Sequence, residues 1–300
     1  MFGGVNVSYL GIDIGGTFIK YALLDEQGEA LTETYKVKTH CTESTNYILE
    51  QVIAICEEMQ AKYDFKGVAV GTAGVVNSSD GSIAYAGYTI PEYTGTPIKR
   101  QVESATGRRC TVINDVNAAC LGEYWKGFGQ ANRPQSLVCL TIGTGVGGAV
   151  FIDGHLYEGS SYMAGEVGYL PLANGKMFQD AASTTALLAQ AESALGYQVT
   201  GEQFFELLAA NDEKVQVVFD SFIDSLAQGL LTIHYLLNPE QIVLGGGVLA
   251  QETVILPALT RRLSEIVIDQ RFLSAKISAA QLGNNAGMLG ALYYHLHEAN

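Results

Sequence analysis

The stretch that decides the fold runs from Tyr9 to Asp25, YLGIDIGGTFIKYALLD. Tyr9 to Ile14 reads as a short apolar strand. Gly15 and Gly16 break it, and Phe18 to Asp25 resumes as a second strand. Asp25-Glu26-Gln27-Gly28 is a turn, and Glu29 to Lys38 alternates as a third strand, so the chain opens as an antiparallel meander. Two glycines at a hairpin let backbone N–H groups approach a phosphate without Cβ interference. Thr17 adds a hydroxyl, Lys20 a cation, and Asp13 a carboxylate suited to a hydrated Mg²⁺. An ordinary hairpin with a solvated Asp fits the same residues. A dinucleotide fingerprint does not, because the glycines lead into a strand and not a helix. A P-loop does not either, since no G-K-[ST] follows.

The plan recurs further on. Ser136 to Ile142 is an apolar strand broken by Gly143-Thr144-Gly145-Val146-Gly147-Gly148. The chain resumes over Ala149 to Ile152, turns at Asp153-Gly154 and continues to Tyr157. Four glycines there fit a β-bulge or a backbone approached closely by a ligand. Two such hairpins imply one ligand held between two similar halves. Between them lies Asn114-Asp115, at the end of a strand over Thr111 to Ile113 and before a helix over Val116 to Trp125. This pair suits a helix cap as well as a catalytic site. Leu244-Gly245-Gly246-Gly247-Val248 runs from a strand over Gln241 to Leu244 toward a helix. It leaves room for a base or ribose, and equally permits a close strand–helix crossing. Gly165-Glu166-Val167-Gly168-Tyr169 sets a carboxylate among small and apolar residues, and it could also be a plain surface group.

Elsewhere Thr45 to Lys62 carries Ile48, Val52, Ile55 and Met59 at helical spacing. Gly67 to Gly71 reads as a buried strand, and Ile83 to Pro97 as a loop rich in Tyr, Gly and Pro. Val215 to Leu237 is one long helix ended by Asn238-Pro239. Asn285 to His297 is a terminal helix. Gly127 to Gln135 is the least patterned stretch, a linker between halves. Tyr85, Tyr88 and Tyr93 could line a groove, though loop tyrosines are common. His234 and Trp125 read as packing residues.

The chain of 300 residues suggests two domains, and 48% hydrophobic with 16% charged residues indicates a globular protein. A net charge of −14 repels phosphate backbones and anionic membranes, so neither nucleic acid nor membrane is an expected partner. Cys41, Cys56, Cys110, Cys120 and Cys139 form no C-x-x-C pair and read as reduced thiols of a cytoplasmic protein. The opening MFGGVNVSYLGIDIGG lacks the pattern of a secretion signal, and no apolar run reaches the ~18 residues of a membrane span.

Taken together, these motifs resemble the ROK family (repressors, open reading frames, kinases). The resemblance spans essentially the whole chain, through Asp13 to Thr17, Gly71 to Asn77, Asn114 to Ala118, Gly143 to Gly148, Gly165 to Gly168, Gly245 to Gly247 and Asn285 to Gly287. It implies an α/β protein of the actin-like ATPase (ribonuclease H-like) fold, two α/β domains with a cleft between them. They are expected at 1–117 and at 118–284, the latter nucleotide-binding and dimerising, with a final helix at about 285–300 packed back on the first. It implies an ATP-dependent, Mg²⁺-assisted sugar kinase working as a homodimer. Asp115 is the implied catalytic base. Gly74, Asn114, Asp115 and Glu166 are implied sugar ligands, with Tyr169 and Gln179 at neighbouring sugar positions. Asp13, Gly15, Gly16, Thr17, Lys20, Gly143, Thr144, Gly145, Gly147, Gly245, Gly246 and Gly247 are expected to serve ATP and its phosphates.

Two departures matter. Most members carry a His followed by a C-x-C-G-x-x-G-C zinc motif. Here Tyr169 takes the His position, and Pro171 to Ser183 (PLANGKMFQDAAS) has no cysteine, so zinc is not expected. Gln179 takes the place of a further sugar-binding Glu. The chain looks closer to zinc-free members, which include N-acetylmannosamine kinases and β-glucoside kinases, and Tyr85 to Arg100 looks most like the former. The expected acceptor is the primary 6-hydroxyl of a hexose or N-acylhexosamine, with a β-glucoside as alternative. A sugar-responsive repressor is a reading of another class, but only eight residues precede the first strand, too few for a helix-turn-helix. A non-catalytic sugar sensor is the third.

Overall fold

The computed structural model describes residues 7–87 and 90–299. The opening segment 1–6, Tyr88 and Asn300 therefore lie outside the described residues, as do the expectations placed on them. The described residues form two compact units. Those within Met1–Arg133, Glu158–Ala164 and Asn284–Asn300 make the first, and Pro134–Tyr157 with Gly165–Gly283 the second.

In the first unit the strands are β1 (Ser8–Ile14), β2 (Phe18–Asp25) and β3 (Tyr35–Lys38). Helix α1 (Ile48–Lys62) follows, then β4 (Gly67–Thr72), β5 (Val75–Asn77) and β6 (Ser82–Tyr85). After these come α2 (Ile98–Thr106), β7 (Arg109–Asn114), α3 (Asp115–Trp125) and the short α4 (Gly129–Asn132). The main sheet has the order β3-β2-β1-β4-β7. β1 and β2 are antiparallel, whereas β1, β4 and β7 run parallel. Leu10, Ile12 and Ile14 alternate into the core, and α1 covers it with Ile48, Val52, Ile55 and Met59 at the spacing its sequence predicts.

Two sequence expectations differ from this arrangement. The third strand is only Tyr35–Lys38, not Glu29 to Lys38. Upstream, the Thr32 hydroxyl accepts the Leu23 N–H at 3.1 Å, a bond that a continuing ladder would give to backbone. The loop read over Ile83 to Pro97 begins as strand, since β6 pairs antiparallel with β5 and buries Ile83.

The second unit repeats the plan with β8 (Ser136–Ile142), β9 (Val146–Ile152) and β10 (His155–Leu156). Helices α5 (Phe178–Ala182), α6 (Thr184–Leu195), α7 (Gly201–Ala209) and α8 (Glu213–Leu237) follow. Then come β11 (Gln241–Gly245), α9 (Glu252–Ile266) and β12 (Lys276–Ala279). The order is β10-β9-β8-β11-β12, with β8 and β9 antiparallel and β8, β11 and β12 parallel. Strand order and direction thus match the first unit. Helix α8 buries Val218, Phe222, Leu226, Leu230 and Ile233 and ends where Asn238 takes a left-handed φ of 41° before Pro239.

The chain then returns to the first unit as α10 (Ala286–Tyr293), continued by a π-helical turn over Tyr294–Glu298. Helix α10 packs on β1, β4 and α3. The units divide at Arg133/Pro134, inside the unpatterned 127–135 stretch and not at 117/118. A cut at 117 would split α3, which α10 holds in the first unit. The segment Glu158–Ala164 also belongs there.

His295, in the π-helical turn, gives a stability prediction. It is 3% exposed, its Nδ1 pairs with Thr111 Oγ1 at 3.0 Å, and its ring meets Tyr9 edge-on. Burial, reinforced by the Arg109 charge, lowers its pKa to about 4. The unfolded chain takes up this proton near pH 6.5 and the folded chain does not. His295 therefore contributes stability that is full above pH 6.5 and fades as pH falls toward 4, by roughly 3 kcal/mol at most. Urea midpoints measured from pH 7 to 4 should fall less in His295→Asn than in the parent.

Candidate active site

The parallel strands of the first unit bring three chain segments to one edge. Ile14, Thr72 and Asn114 stand in one register row at the carboxyl ends of β1, β4 and β7. Ligand sites of parallel α/β sheets form at such edges. Asp13 precedes Ile14, and Asp115 follows Asn114. The tight turn between β1 and β2 closes with Gly15 N–H donating to Phe18 C=O at 3.0 Å, leaving Gly16 and Thr17 exposed.

Asp13 faces Lys20 directly across the hairpin, with Oδ2 and Nζ 3.8 Å apart. Lys20 Nζ also donates to Asn284 Oδ1 at 3.2 Å. Burial raises the Asp13 pKa against the pull of Lys20. Gly287 on α10 backs the carboxylate so closely that a Cβ there would lie 3.1 Å from Oδ1. Sequence reasoning missed Asn284, whose signal lies only in the return of the chain to this unit.

Asn114 caps a helix and also ties Gly74 to Asp115. Its Oδ1 accepts from the N–H groups of Val116 (2.9 Å) and Asn117 (3.0 Å), starting α3. Its Nδ2 donates to Gly74 C=O at 3.0 Å and to Asp115 Oδ1 at 2.9 Å. Gly74 is required as glycine, with φ +94° and the Tyr85 carbonyl against the space a Cβ would fill. Asp115 Oδ1 also accepts from Val116 N–H at 3.0 Å. Burial, with the negative charge of Asp13 added, raises the Asp115 pKa to about 7, although these hydrogen bonds oppose the shift. Asp115 is thus a carboxylate fixed by hydrogen bonds and poised near neutrality.

The second unit gathers the remaining glycine motifs. In the β8–β9 turn Gly143 N–H donates to Gly145 C=O at 3.0 Å, and Thr144 is exposed. Thr184, at the start of α6, pins this turn through its N–H to Gly143 C=O (2.9 Å) and its hydroxyl to Ile142 C=O (3.2 Å). Gly245 lies in register with Thr141. Gly246, at φ +100°, lies against the Ile142 backbone, where any Cβ would collide. Gly247 opens a 3-10 turn before α9. Gly147 lies in β9 opposite Thr141. Gly148 and Gly165 pack backbone to backbone, which sets exposed Glu166 and the 3-10 turn Val167–Tyr169 beside β9. Although the residue as a whole is exposed, partial desolvation of its carboxyl raises the Glu166 pKa. Tyr169 is 53% exposed. Gln179 Oε1 is wedged against Gly145 and Gly168, 2.9 and 3.1 Å from where their Cβ atoms would be.

The other aromatic and His candidates range from buried to exposed positions. Tyr93 is 0% exposed, whereas Tyr85 is 51% exposed. His234 is buried and its Nε2 accepts from Ser274 N–H at 3.4 Å. Trp125 packs on Gly28 and Tyr293. All five cysteines are free thiols. Among the described residues no group of three or more His, Cys, Asp or Glu side chains could hold a metal ion. No described helix is long and apolar enough to cross a membrane.

Two matching β-sheet units with glycine hairpins, and a buried carboxylate at the strand ends of the first, fit a two-domain phosphotransferase of the actin-like ATPase fold. The chain belongs to the ROK family, whose model matches residues 9–298. A β-glucoside kinase of Listeria innocua is 30% identical over 96% of this chain and 97% of its own. Among solved structures, a Listeria monocytogenes protein described as a candidate N-acetylmannosamine kinase superposes with TM-score 0.86 at 30% identity, covering 98% of this chain and 100% of that one. A Streptomyces griseus ROK glucokinase in complex with glucose and AMPPNP gives TM-score 0.78 at 27% identity, covering 95% and 98%.

Proposed function

We propose that this protein is an ATP-dependent sugar kinase that phosphorylates the primary 6-hydroxyl of a hexose or N-acylhexosamine, of the N-acetylmannosamine kinase or glucokinase kind. The observation that carries the reading is Asp115, a carboxylate fixed by Asn114 and Val116 N–H, with its pKa raised to about 7. Phosphoryl transfer demands mostly positioning and charge stabilisation. Asp115 orients the acceptor hydroxyl and takes its proton as the new O–P bond forms. Asn114, Gly74 and Glu166 hold sugar hydroxyls, with Tyr169 and Gln179 where zinc-bearing members place a His and a Glu. Backbone N–H groups at Gly16 and Thr17, and at Thr144, Gly145 and Gly147, bind phosphate oxygens, while Gly15 and Gly143, whose own N–H groups close the two turns, let the phosphates approach the backbone. Lys20 supplies a local cation. Gly245 to Gly247 serve the nucleoside.

The donor set fits Mg²⁺, which needs one or two carboxylates plus substrate phosphates and water, not an all-protein cage. Asp13 meets that need through water, and the ion would supply charge neutralisation on the transferring phosphoryl group. No zinc is invoked. We propose further that the protein is a cytoplasmic homodimer that binds neither nucleic acid nor membrane.

The β-glucoside kinase reading keeps a specific support in the 30% identity to the Listeria innocua enzyme. A regulator or sugar sensor is the alternative of another class. Coupled ADP release across glucose, N-acetylmannosamine, N-acetylglucosamine, fructose, mannose and cellobiose separates these readings, because a sensor binds sugar without turnover. With the preferred sugar, kcat/KM should fall about tenfold per pH unit below about 7, as Asp115 takes up its proton. A flat profile between pH 5 and 8 would remove Asp115 as the base.

A further inference from the structure

Tyr93 stands out among residues the proposed chemistry does not use. It lies in a connecting segment, where side chains are usually exposed, yet it is 0% exposed. Its hydroxyl shares a 2.7 Å hydrogen bond with Thr72 Oγ1, and Thr72 is also 0% exposed. A phenylalanine would pack as well without a hydroxyl to satisfy, so the buried pair specifies position as well as packing.

Thr72 is the last residue of β4, in register between Ile14 and Asn114. Two residues on, the Gly74 carbonyl accepts from Asn114, which also donates to Asp115. The charge on Asp115 acts on the Tyr93 phenol, reinforcing the effect of its burial in keeping it protonated. Tyr93 therefore joins the connecting segment to the very strand end that orients the base.

The same segment is fastened at other points. Ile90 is buried, Asn46 Nδ2 donates to Pro91 C=O at 2.7 Å, and Thr94 Oγ1 accepts from Ala86 N–H at 3.0 Å. Between the anchors, Glu92 is exposed and held at φ +54°, a conformation that L side chains rarely adopt. Such strain persists only where neighbours over-determine the backbone, and it clusters at ligand clamps.

We infer that Tyr93 is a positioning residue: through Thr72 it fixes the 90–97 segment as a rigid wall beside Asp115, and this wall discriminates among acceptor sugars. The inference rests on the kinase reading above.

The test uses the full chain with Tyr93→Phe, Thr72→Val and the double variant. Sugar affinity is read by calorimetry, sugar and ATP KM by ADP release, and stability by thermal midpoint. Loss of one positional hydrogen bond should raise the KM and Kd of the preferred sugar about 3–10-fold, narrow the preference among sugars, and leave ATP KM within about twofold. The double variant removes both hydroxyls, so it should regain the thermal midpoint lost by the single variants but not the sugar affinity. Unchanged sugar affinity and preference in Tyr93→Phe would overturn the inference. So would full recovery of sugar affinity together with the midpoint in the double variant, since that is the behaviour of a merely structural pair. If the parent binds sugar without turnover, the kinase reading fails while calorimetry still decides the role of Tyr93. A parent that binds no sugar in the panel overturns both.

Discussion

Asp115→Asn should lower kcat at least about 10²-fold while leaving sugar binding nearly intact. The amide keeps the shape and can still meet Asn114 and Val116, but it cannot take the hydroxyl proton. Near-normal kcat would remove the assignment. The same variant should be the more stable protein at pH 8. Burial and Asp13 raise the Asp115 pKa from an ordinary carboxylate value to about 7. Ionising it therefore costs the folded chain more than the unfolded one, and that cost grows as pH rises from about 4 to 7. Asparagine carries no such cost. Its thermal midpoint should exceed the parent's at pH 8, with the two converging near pH 4. A gain in stability with a loss of rate is the pattern expected when a destabilising group serves the chemistry.

Gly290→Ala should destabilise the first unit strongly, although alanine is the better helix former by about 1 kcal/mol. A Cβ at Gly290 would run into the Ala118 carbonyl on α3, and at the same crossing a Cβ at Gly122 would strike the Ala286 carbonyl. Both obstacles are helix backbone and cannot swing aside. Overpacking of this kind costs about 1–3 kcal/mol or more, which exceeds the propensity gain. With the upper end of that range, less the propensity gain, the thermal midpoint should drop by roughly 4–8 °C. Gly201→Ala is the control, because nothing lies within 4 Å of a Cβ there. Equal midpoints for the two variants would show that the crossing tolerates separation.

Both glycine hairpins of the candidate site were legible in the sequence. Strand–glycine–strand patterns at Asp13 to Thr17 and at Gly143 to Gly148 mark their own hairpins, since local periodicity and turn chemistry suffice. Asn114 was readable as a cap or a site residue; the geometry shows the cap and adds its bonds to Gly74 and Asp115, which no local pattern announced. Tyr93 was readable as a groove-lining candidate, but its pairing was not legible, nor was that of Asn284. Their partners Thr72 and Lys20 lie 21 and 264 residues away, and no local pattern encodes such pairings. The third strand was overread because alternation from Glu29 onward says nothing of a threonine hydroxyl competing for the ladder. The domain boundary was misplaced because the partner of α3 is the last helix of the chain.

That last pairing governs how the protein is made. Helix α10 covers β1, β4 and α3, yet its residues are synthesised after the whole second unit. A nascent chain that has just emitted Arg133 holds an unfinished fold, with an apolar face bared on the ribosome for as long as the next 150 or so residues take to appear, on the order of 10–30 s. The first unit must therefore wait or be sheltered, and chaperone dependence during translation should follow from the path of the chain itself.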